Sequence, residues 1–393
     1  MEETVYLDNS ATTQVLPDVV DVVVEMMEKD YGNPSSYHRM GISVEKKMKE
    51  ARQRVATALG AKAKEIIFTS GGTEANNLAI RGVAHHYRNR GQHLITSQIE
   101  YPSVLNVFKR LEKEGYQVTY LPVDKKGFVR VEDLKEAMTD KTILVSIMHL
   151  NNEVGSIQAI REMSEMVRAN NSLTIFHVDA VQSFGKIPVN PREMGVDLLT
   201  ISGHKIHGPK GVGALYCNEK ISLQPLIEGG GQERDIRSGT ENVPGIVGLG
   251  LAAQLIDEKR KQLVKELKEL KGWLIKEVQD KIQDCKVNGP ETIEAMEEGE
   301  SSPHIINLSF PGLKGEVLLH ALEDKKIYVS TGSACHSRQD APSHVLQAMK
   351  LNKRELESAI RISLSYQTTA QDLEYLMDYL PNLVEDFRFF MKR

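Results

Sequence analysis

Two residues in this sequence have nucleophilic side chains in surroundings that suit chemistry. Lys205 lies in segment 202–208 (SGHKIHG), directly after an apolar run. A lysine amine becomes an effective nucleophile when it is held near other charges and out of bulk water. Cys335 lies in segment 330–337 (STGSACHS), where small residues are poorly suited to core packing and a cation such as His336 would favour the thiolate. Both segments are candidates for covalent catalysis, although the first alone would also suit a basic glycine-rich loop.

Segment 70–77 (SGGTEANN) follows a predicted strand and precedes a helix-like run. Glycines at such a turn let backbone N–H groups approach an anion, the helix N-terminus adds a favourable dipole, and a hydroxyl such as that of Thr73 adds a donor. Gly72 and Thr73 are therefore candidates for holding a phosphate. The same segment is consistent with a capped helix start that needs glycines only for its turn.

Asp179 follows another predicted strand, in segment 177–182 (HVDAVQ). A carboxylate at the end of a buried strand is costly unless it pairs with a cation. A protonated pyridine nitrogen is such a cation, and the pair would keep the ring electron-withdrawing. Taken alone, an Asp here is also typical of a helix cap or a structural ion pair. An anion cup, then Asp179, then Lys205, each after a strand, is the order expected of a fold-type I enzyme that uses pyridoxal 5'-phosphate (PLP).

The elements that must position these residues can be predicted from the apolar runs between residues 64 and 216. Runs typical of strands alternate with helix-like stretches such as 103–113 and 160–169, which indicates a mostly parallel sheet covered on both faces. Ligands of such sheets bind at the carboxyl ends of the strands. The predicted strands are 65–69, 94–96, 142–148, 174–178, 198–202 and 213–216. Cys217, at the end of the last one, is expected to be an ordinary core residue.

The C-terminal part of the sequence predicts a second, smaller unit. A long amphipathic stretch at 247–282 predicts a connecting helix with a solvated charged face. The acidic segment 294–302 predicts an exposed loop. Short strands mixed with helices, as in a small α+β domain, are predicted at 305–310, 327–330 and 360–365.

Composition excludes several classes of protein. The 393 residues are 40% hydrophobic and 26% charged, with a net charge of −5, which is typical of a globular protein and provides no electrostatic case for binding nucleic acid. The sequence contains no run of about 18 apolar residues that would span a membrane, and three scattered cysteines do not make a disulfide framework. Because the N-terminus lacks a signal-peptide pattern, we expect a cytoplasmic protein.

Together these motifs resemble those of the group I cysteine desulfurases, the NifS/IscS-like members of the class-V aminotransferase family. The resemblance extends nearly from end to end, and the long segment after Cys335 is similar to group I rather than group II sequences. The matching segments are 6–13 (YLDNSATT), 32–36 (GNPSS), 70–77 (SGGTEANN), 151–155 (NNEVG), 179–182 (DAVQ), 202–211 (SGHKIHGPKG), 229–233 (GGGQE), 237–240 (RSGT), 330–335 (STGSAC) and 361–363 (RIS).

The resemblance implies the aspartate-aminotransferase-like fold type I, with PLP as cofactor and no metal. A large PLP-binding domain would comprise residues 16–260. A small domain, residues 1–15 and 261–393, would carry the catalytic-cysteine loop at about 330–345.

The resemblance also implies how the cofactor is held. Lys205 binds it as a Schiff base and moves protons, Asp179 pairs with the pyridine nitrogen, and Gln182 bonds the ring hydroxyl. The residues expected around the phosphate and the rest of the cofactor are Gly72, Thr73, Asn152, Ser202, His204 and, from the partner subunit of a homodimer, Thr240.

L-cysteine is the implied substrate. Asn152 and Arg361 would orient it, and Arg361 would grip its carboxylate with a bidentate fork. Cys335 would attack the substrate sulfur, alanine would leave, and a persulfide would remain on Cys335. The implied acceptors are proteins of iron–sulfur cluster assembly or of tRNA or cofactor thiolation, and Cys335 would also ligate an iron–sulfur cluster transiently.

Tyr101 departs from the family pattern, which usually has His at this position. Its ring can stack on the cofactor, but a phenol with a reference pKa of about 10 is a poor base near neutral pH. Either Lys205 or His204 covers the proton transfers at a reduced rate, or the enzyme acts on selenocysteine or another β-substituted amino acid. A non-catalytic sulfur-transfer partner is the alternative from a different class, and intact Lys205, Asp179 and Cys335 argue against it.

Overall fold

The computed structural model describes residues 4–290, 292–332 and 342–391. Helices and strands are both present, and every strand predicted from the sequence is observed with each end within two residues of its predicted position. In chain order the described strands are β1 (Val5–Tyr6), β2 (Ile66–Thr69), β3 (His93–Ser97), β4 (Gln117–Leu121), β5 (Thr142–Met148), β6 (Ile175–Asp179), β7 (Leu198–Ser202), β8 (Gly213–Cys217), β9 (Lys286–Asn288), β10 (Ile305–Ser309), β11 (Ile327–Tyr328) and β12 (Ala359–Ser363).

Helices separate most of these strands. The described α-helices are α1 (Pro17–Glu28), α2 (Arg39–Ala58), α3 (Gly72–His86), α4 (Pro102–Lys113), α5 (Val131–Ala137), α6 (Ile160–Asn170), α7 (Val243–Lys281), α8 (Ile293–Glu297), α9 (Gly315–Glu323), α10 (His344–Ala348), α11 (Lys353–Glu357) and α12 (Ala370–Met391). None of these helices has both the length and the apolar character that a membrane crossing requires.

The main sheet has seven strands in the order β2-β8-β7-β6-β5-β3-β4. All neighbouring pairs are parallel except those of β8, which runs antiparallel to both β2 and β7. Each residue of β5, β6 and β7 is buried, as expected for strands that helices cover on both faces. The carboxyl ends of β2, β5, β6 and β7 therefore meet at one edge of the sheet.

Alternation along β2 separates the two apolar layers. Ile66 and Phe68 belong to the core on the face covered by α2 and α7, whereas Ile67 belongs to the core under α3 and α4. This alternation follows from the two-residue period of a strand. The same packing buries Cys217 at the end of β8, as its position predicted.

A third apolar cluster lies around a second sheet. This sheet is antiparallel with the order β12-β10-β9, and a parallel pair joins β1 to β11. The cluster draws on residues 5–7, the second half of α7 and residues 282–384. The first residues of the chain therefore pack with its last third.

The connecting helix α7 begins four residues before its predicted start. Pro244 lies in its first turn, and the Asn242 side chain caps the helix by accepting a hydrogen bond from the Gly245 N–H. Proline is tolerated in the first turn because the N–H that it lacks would have no helical partner there. The apolar periodicity alone therefore underestimated the length of the helix at its N-terminal end.

The prediction of an exposed loop at 294–302 is correct only for residues 298–300, which are exposed, and wrong for both ends of the segment. Thr292 caps the short helix α8 through the Ala295 N–H, and Ser301 and Ser302 are buried. The Lys271 Nζ donates to Ser301 Oγ at 2.9 Å and to the Ser302 carbonyl at 2.8 Å. An acidic composition could not reveal this contact, because its partner lies some thirty residues away on α7.

Candidate active site

A cavity of about 230 Å³ lies at the carboxyl edge of the main sheet. It collects side chains from turns that are far apart in sequence, as expected for the ligand site of a parallel sheet. The sequence-predicted residues that line it are Gly72, Thr73, Tyr101, Asn152, Asp179, Gln182, Ser202, His204 and Lys205.

The turn from β2 into α3 forms one wall of this cavity. Gly71 has a φ of 153°, a conformation that L side chains rarely adopt, and a Cβ on Gly72 would lie 2.8 Å from Val181 Cγ2. Gly71 is thus favoured by its backbone conformation and Gly72 by the close approach of the Val181 side chain. With Thr73 they place the first turn of α3 at the cavity, where its N–H groups and dipole favour an anion such as phosphate.

Asp179 ends β6 with a carboxylate that is 6% exposed. Its Oδ1 accepts from the Val181 N–H at 2.9 Å and its Oδ2 accepts from Asn76 Nδ2 at 2.7 Å. Burial raises the pKa of Asp179, against the opposite effect of these hydrogen bonds and of Lys205. The carboxylate lacks full charge compensation, which a protonated ring nitrogen in the cavity would supply.

Two further polar atoms of the site have no partner among the described residues. They are the Oε1 atom of Gln182, whose Nε2 donates to the Ser10 carbonyl at 3.0 Å, and the Oδ1 atom of Asn76. Buried polar atoms of this kind are rare unless a ligand completes them. The sequence analysis did not assign a role to Asn76. Its position in segment 70–77 was the available signal, because this segment lies at the strand ends and can donate a hydrogen bond to Asp179.

Lys205 lies in the 3₁₀ turn Gly203–Lys205, directly after β7. It is 7% exposed, and its Nζ donates to the carbonyls of Ser10 and Ala11, at 2.9 Å in the second case. The amine is therefore held inside the cavity by the N-terminal segment, out of bulk water, as an amine nucleophile requires.

His204 has a neutral ring in this environment. Burial and the neighbouring cations Lys205, Lys210 and Lys186 lower its pKa to about 3. Its Nδ1 lies 3.2 Å from Thr12 Oγ1. His204 therefore contributes a hydrogen-bonding group to the cavity rather than a positive charge.

Tyr101 is the N-terminal cap residue of α4 and is partly buried at the cavity wall. The preceding residue, Glu100, is fully buried, and its Oε1 accepts from Ser97 Oγ at 2.6 Å and from the Met148 N–H at 2.9 Å. Burial, reinforced by the Asp179 charge, raises the pKa of Glu100 to about 8. Sequence reasoning assigned Glu100 no role, because burial of a carboxyl in a turn leaves no mark on the pattern.

Arg361, on β12, is 1% exposed and does not line this cavity. Its Nη1 donates to the Asn152 carbonyl at 3.0 Å and its Nη2 donates to Asp8 Oδ1 at 2.6 Å. Its Nε has no partner among the described residues. The guanidinium is thus fixed directly behind Asn152 by a counter-ion that sequence reasoning did not single out.

Among the described site residues predicted from sequence, Thr240, like Arg361, does not line the cavity. Thr240 is exposed and borders a separate cavity of about 90 Å³ together with Ser70 and Arg237. Cys335 lies outside the described residues. Within the described ranges, no group of three or more His, Cys, Asp or Glu side chains is arranged to hold a metal ion.

The cavity residues fit PLP on three independent grounds. The α3 turn suits the phosphate, the buried Asp179 suits the ring nitrogen, and the enclosed Lys205 suits the aldehyde. An α/β fold with a mostly parallel sheet and these groups at its carboxyl edge defines a PLP-dependent enzyme of fold type I.

Comparison with known proteins identifies the family. Residues 5–376 match the family described as aminotransferase class-V. The cysteine desulfurase IscS of Dictyoglomus turgidum is 45% identical over 388 residues, which cover 99% of this chain and 96% of that protein. A solved NifS-like protein aligns with a TM-score of 0.91 and 38% identity, over 98% of this chain and 100% of its own. The structure titled "SspA in complex with cysteine" aligns with a TM-score of 0.79 and 34% identity, over 93% and 100% of the two chains.

The chain belongs to the class-V aminotransferase family, and within it to the PLP-dependent cysteine desulfurases. This confirms the resemblance noted in the sequence, the fold class, the cofactor and the expectation of an enzyme rather than a non-catalytic partner.

Proposed function

We propose that this enzyme converts L-cysteine to L-alanine and transfers the sulfur to Cys335 as a persulfide. The thiolate of Cys335 attacks the substrate sulfur, an S–S bond forms, and the carbon–sulfur bond breaks. The carbon takes up a proton as alanine leaves, so that cysteine and one thiol become alanine and one persulfide. The observation that carries the proposal is the cavity that brings Thr73, Asp179 and Lys205 together.

When bound, PLP supplies an electron sink for the substrate. The residues of the chain hold and orient it. Asp179 would keep a proton on the ring nitrogen, and the Oε1 of Gln182, which has no partner among the described residues, would accept a hydrogen bond from the ring hydroxyl. Gly72, Thr73, Ser202 and the neutral His204 bind the phosphate through hydrogen bonds.

Lys205 attaches the cofactor and moves protons during the reaction. To hold PLP, its Nζ would have to leave the carbonyls of Ser10 and Ala11, which accept its hydrogen bonds in this structure. Because burial keeps water away, a proton on this amine exchanges with bound molecules rather than with solvent.

Arg361 and Asn152 orient the substrate carboxylate. The Asp8 carboxylate and the Asn152 carbonyl use one N–H on each terminal nitrogen of the guanidinium, which leaves Nε–H and further N–H donors. The guanidinium is thereby oriented before substrate arrives, which reduces the entropy that binding must overcome.

We also propose the two-domain division predicted from the resemblance, with residues 16–260 in the large domain. The separate apolar cluster around the second sheet supports it, since this cluster joins residues 5–7 to the last third of the chain. The position of Thr240 supports a homodimer, because an exposed residue away from its own cavity is available to a partner subunit. Protein acceptors of the persulfide and a cytoplasmic location complete the proposal.

Mass spectrometry of the protein after exposure to L-cysteine tests the sulfur transfer. We expect a gain of one sulfur atom on Cys335, with one alanine released for each. The other two cysteines are internal controls, because burial raises the pKa of both Cys217 and Cys285 to about 12 and so suppresses their thiolates. A persulfide on Cys217 or Cys285, or an undiminished yield from a Cys335→Ser variant, would contradict the proposal.

The same assay distinguishes the substrates. Alanine release from L-cysteine should exceed that from selenocysteine and from cysteine sulfinate at equal concentration. A reversed order would favour the alternative in which Tyr101 adapts the site to another β-substituted amino acid.

A further inference from the structure

Lys186 is a second buried lysine beside the site. It is 3% exposed and follows Asp179 and Gln182 in the turn after β6. Its Nζ donates to the main-chain carbonyl of Lys205 at 2.6 Å. One buried amine therefore contacts the backbone of the residue whose own amine faces the cavity.

The charge of Lys186 is not compensated by an acid. No carboxylate lies within ion-pair distance of it in residues 4–290, 292–332 and 342–391. Burial and the nearby Lys205 lower its pKa to about 7. The other titratable groups that face it are His204 and His207 from the Lys205 turn and His304 from the segment before β10, and Lys186 lowers the pKa of all three.

We propose that Lys186 is a positioning residue for Lys205: its buried amine holds the Lys205 carbonyl, fixes the direction in which the Lys205 side chain enters the cavity, and disfavours a second positive charge there. This inference rests on the proposed function, in which Lys205 attaches the cofactor.

Geometry supports the first part of this role. The turn Gly203–Lys205 is a single 3₁₀ turn, and its capping N–H bond comes from Ile206 to the Gly203 carbonyl. The carbonyl of Lys205 lies beyond the end of β7 and so outside the sheet ladder, and a buried carbonyl needs a hydrogen-bond donor. The amine of Lys186 satisfies it from the Asp179 side, so the Asp179 and Lys205 turns are held in one relative orientation.

Electrostatics supports the second part. A cation beside Lys205 favours the neutral form of any amine or imine at its Nζ. Reactivity of the lysine requires that neutral form, whereas its attraction to Asp179 favours the charged one. Lys186 therefore opposes the carboxylate, and its removal should make the nitrogen of Lys205 more basic.

The test uses the holoenzyme and three variants. In Lys186→Met, the pH midpoint of the cofactor's visible absorbance band should rise by up to about one unit, since the positive charge that Lys186 carries below its pKa of about 7 is lost. Lys186→Arg keeps a permanent charge, so its midpoint should stay at or below that of the wild type. Lys271→Met is the matched control, because Lys271 is 2% exposed and also has a pKa lowered to about 7, but donates to Ser301 and Ser302.

A change of stability alone would not support the proposal, since both methionine variants remove a buried amine. The proposal is overturned if the midpoint of Lys186→Met equals that of the wild type, or if Lys271→Met shifts it equally. It is also overturned if neither Lys186 variant folds while Lys271→Met does, because Lys186 would then serve folding instead of positioning.

Peptide mapping after borohydride reduction separates this inference from the proposed function. In wild type and in Lys186→Met, the reduced cofactor should be found on Lys205. An adduct on Lys186 or on another lysine would reject the proposed function itself. An adduct on Lys205 with an unchanged midpoint would reject only the role of Lys186.

Discussion

Two groups of residues at the site differ in how far the charge of their central side chain is compensated. The strand-end wall, formed by Gly72, Asp179, Ser202 and Lys205, follows the carboxyl ends of the main sheet and includes a buried carboxylate whose pKa burial raises. Behind Asn152, in the group of residues that we call the Arg361 side, the guanidinium of Arg361 already has Asp8 as counter-ion. The negative charge of Asp179 on the strand-end wall is thus compensated only when a cationic ring binds. The guanidinium on the Arg361 side, in contrast, is held in position by Asp8 before any ligand arrives.

This difference predicts that substitutions in the two groups of residues affect different properties of the enzyme. On the strand-end wall, a substitution should change how the cofactor is held and therefore every catalytic step. On the Arg361 side, a substitution should change how the substrate is bound and leave the bound cofactor as it is.

The largest expected effect is that of Asp179→Asn. Loss of the charge opposite the ring nitrogen should lower turnover by about two to three orders of magnitude. The apoprotein should be no less stable than the wild type, because burial penalises the ionised carboxylate. Turnover, cofactor retention and apoprotein melting should be measured together, with Asn76→Ala as a milder variant that removes one hydrogen bond to Asp179. Normal turnover in Asp179→Asn would contradict the claim that the strand-end wall controls catalysis through the cofactor.

Arg361→Lys should have the next largest effect, and on a different parameter. Lysine keeps a charge but lacks the planar fork, so the KM for L-cysteine should rise by about tenfold to a hundredfold. The absorbance of the bound cofactor should stay unchanged. Asp8→Asn keeps an oxygen acceptor but removes the counter-ion of Arg361, and its effect on KM should be smaller. A spectral change in Arg361→Lys as large as that in Asp179→Asn would show that the two sides are not independent.

Tyr101→His restores the residue usual in the family at the cavity wall. An imidazole can accept and donate a proton near neutral pH, so turnover of L-cysteine should rise by about tenfold. Single-turnover kinetics with the variant and the wild type would measure this. Slower turnover in the variant would instead indicate that Tyr101 is adapted to this enzyme's own substrate or reaction.

The smallest effect on turnover is expected for Glu100→Gln, which should act on stability. Since burial raises the pKa of Glu100 from 4.5 to about 8, the folded protein binds more protons than the unfolded chain between these pH values. The contribution of this group to stability is present below pH 4.5 and is lost as the pH rises through 8, at up to about 1.4 kcal/mol per pH unit. Unfolding by urea across this range should show a flatter pH dependence in the variant.

Glu219→Gln is the control for that measurement. Lys62 and Lys64 lower the pKa of Glu219 to about 2, so its titration lies outside the range tested. An equal change of slope in both variants would mean that the buried carboxyl next to Tyr101 is not the source of the pH dependence.

The strand-end wall could be predicted almost entirely from sequence, and the Arg361 side could not. Asp179 and Lys205 each lie in a short contiguous motif directly after an apolar run, and the parallel sheet brings those strand ends together. Arg361 and Asp8 are separated by most of the chain, and β12 lies in a different sheet from β6 and β7. The family resemblance assigned Arg361 to the substrate, but no motif indicated that Asp8 would be its ion-pair partner.

The class of fold, the order of the chemical groups along the chain and the cofactor that they serve could be read from the sequence, because apolar periodicity and strand-end motifs are local properties. Which buried groups lack a partner and which are paired became visible from the fold: the raised pKa of Glu100, the contact of Lys186 with the Lys205 carbonyl, and the hydrogen bonds from Lys271 to Ser301 and Ser302. The physical reason is that burial and charge pairing depend on neighbours brought together from distant parts of the chain, which no local pattern encodes.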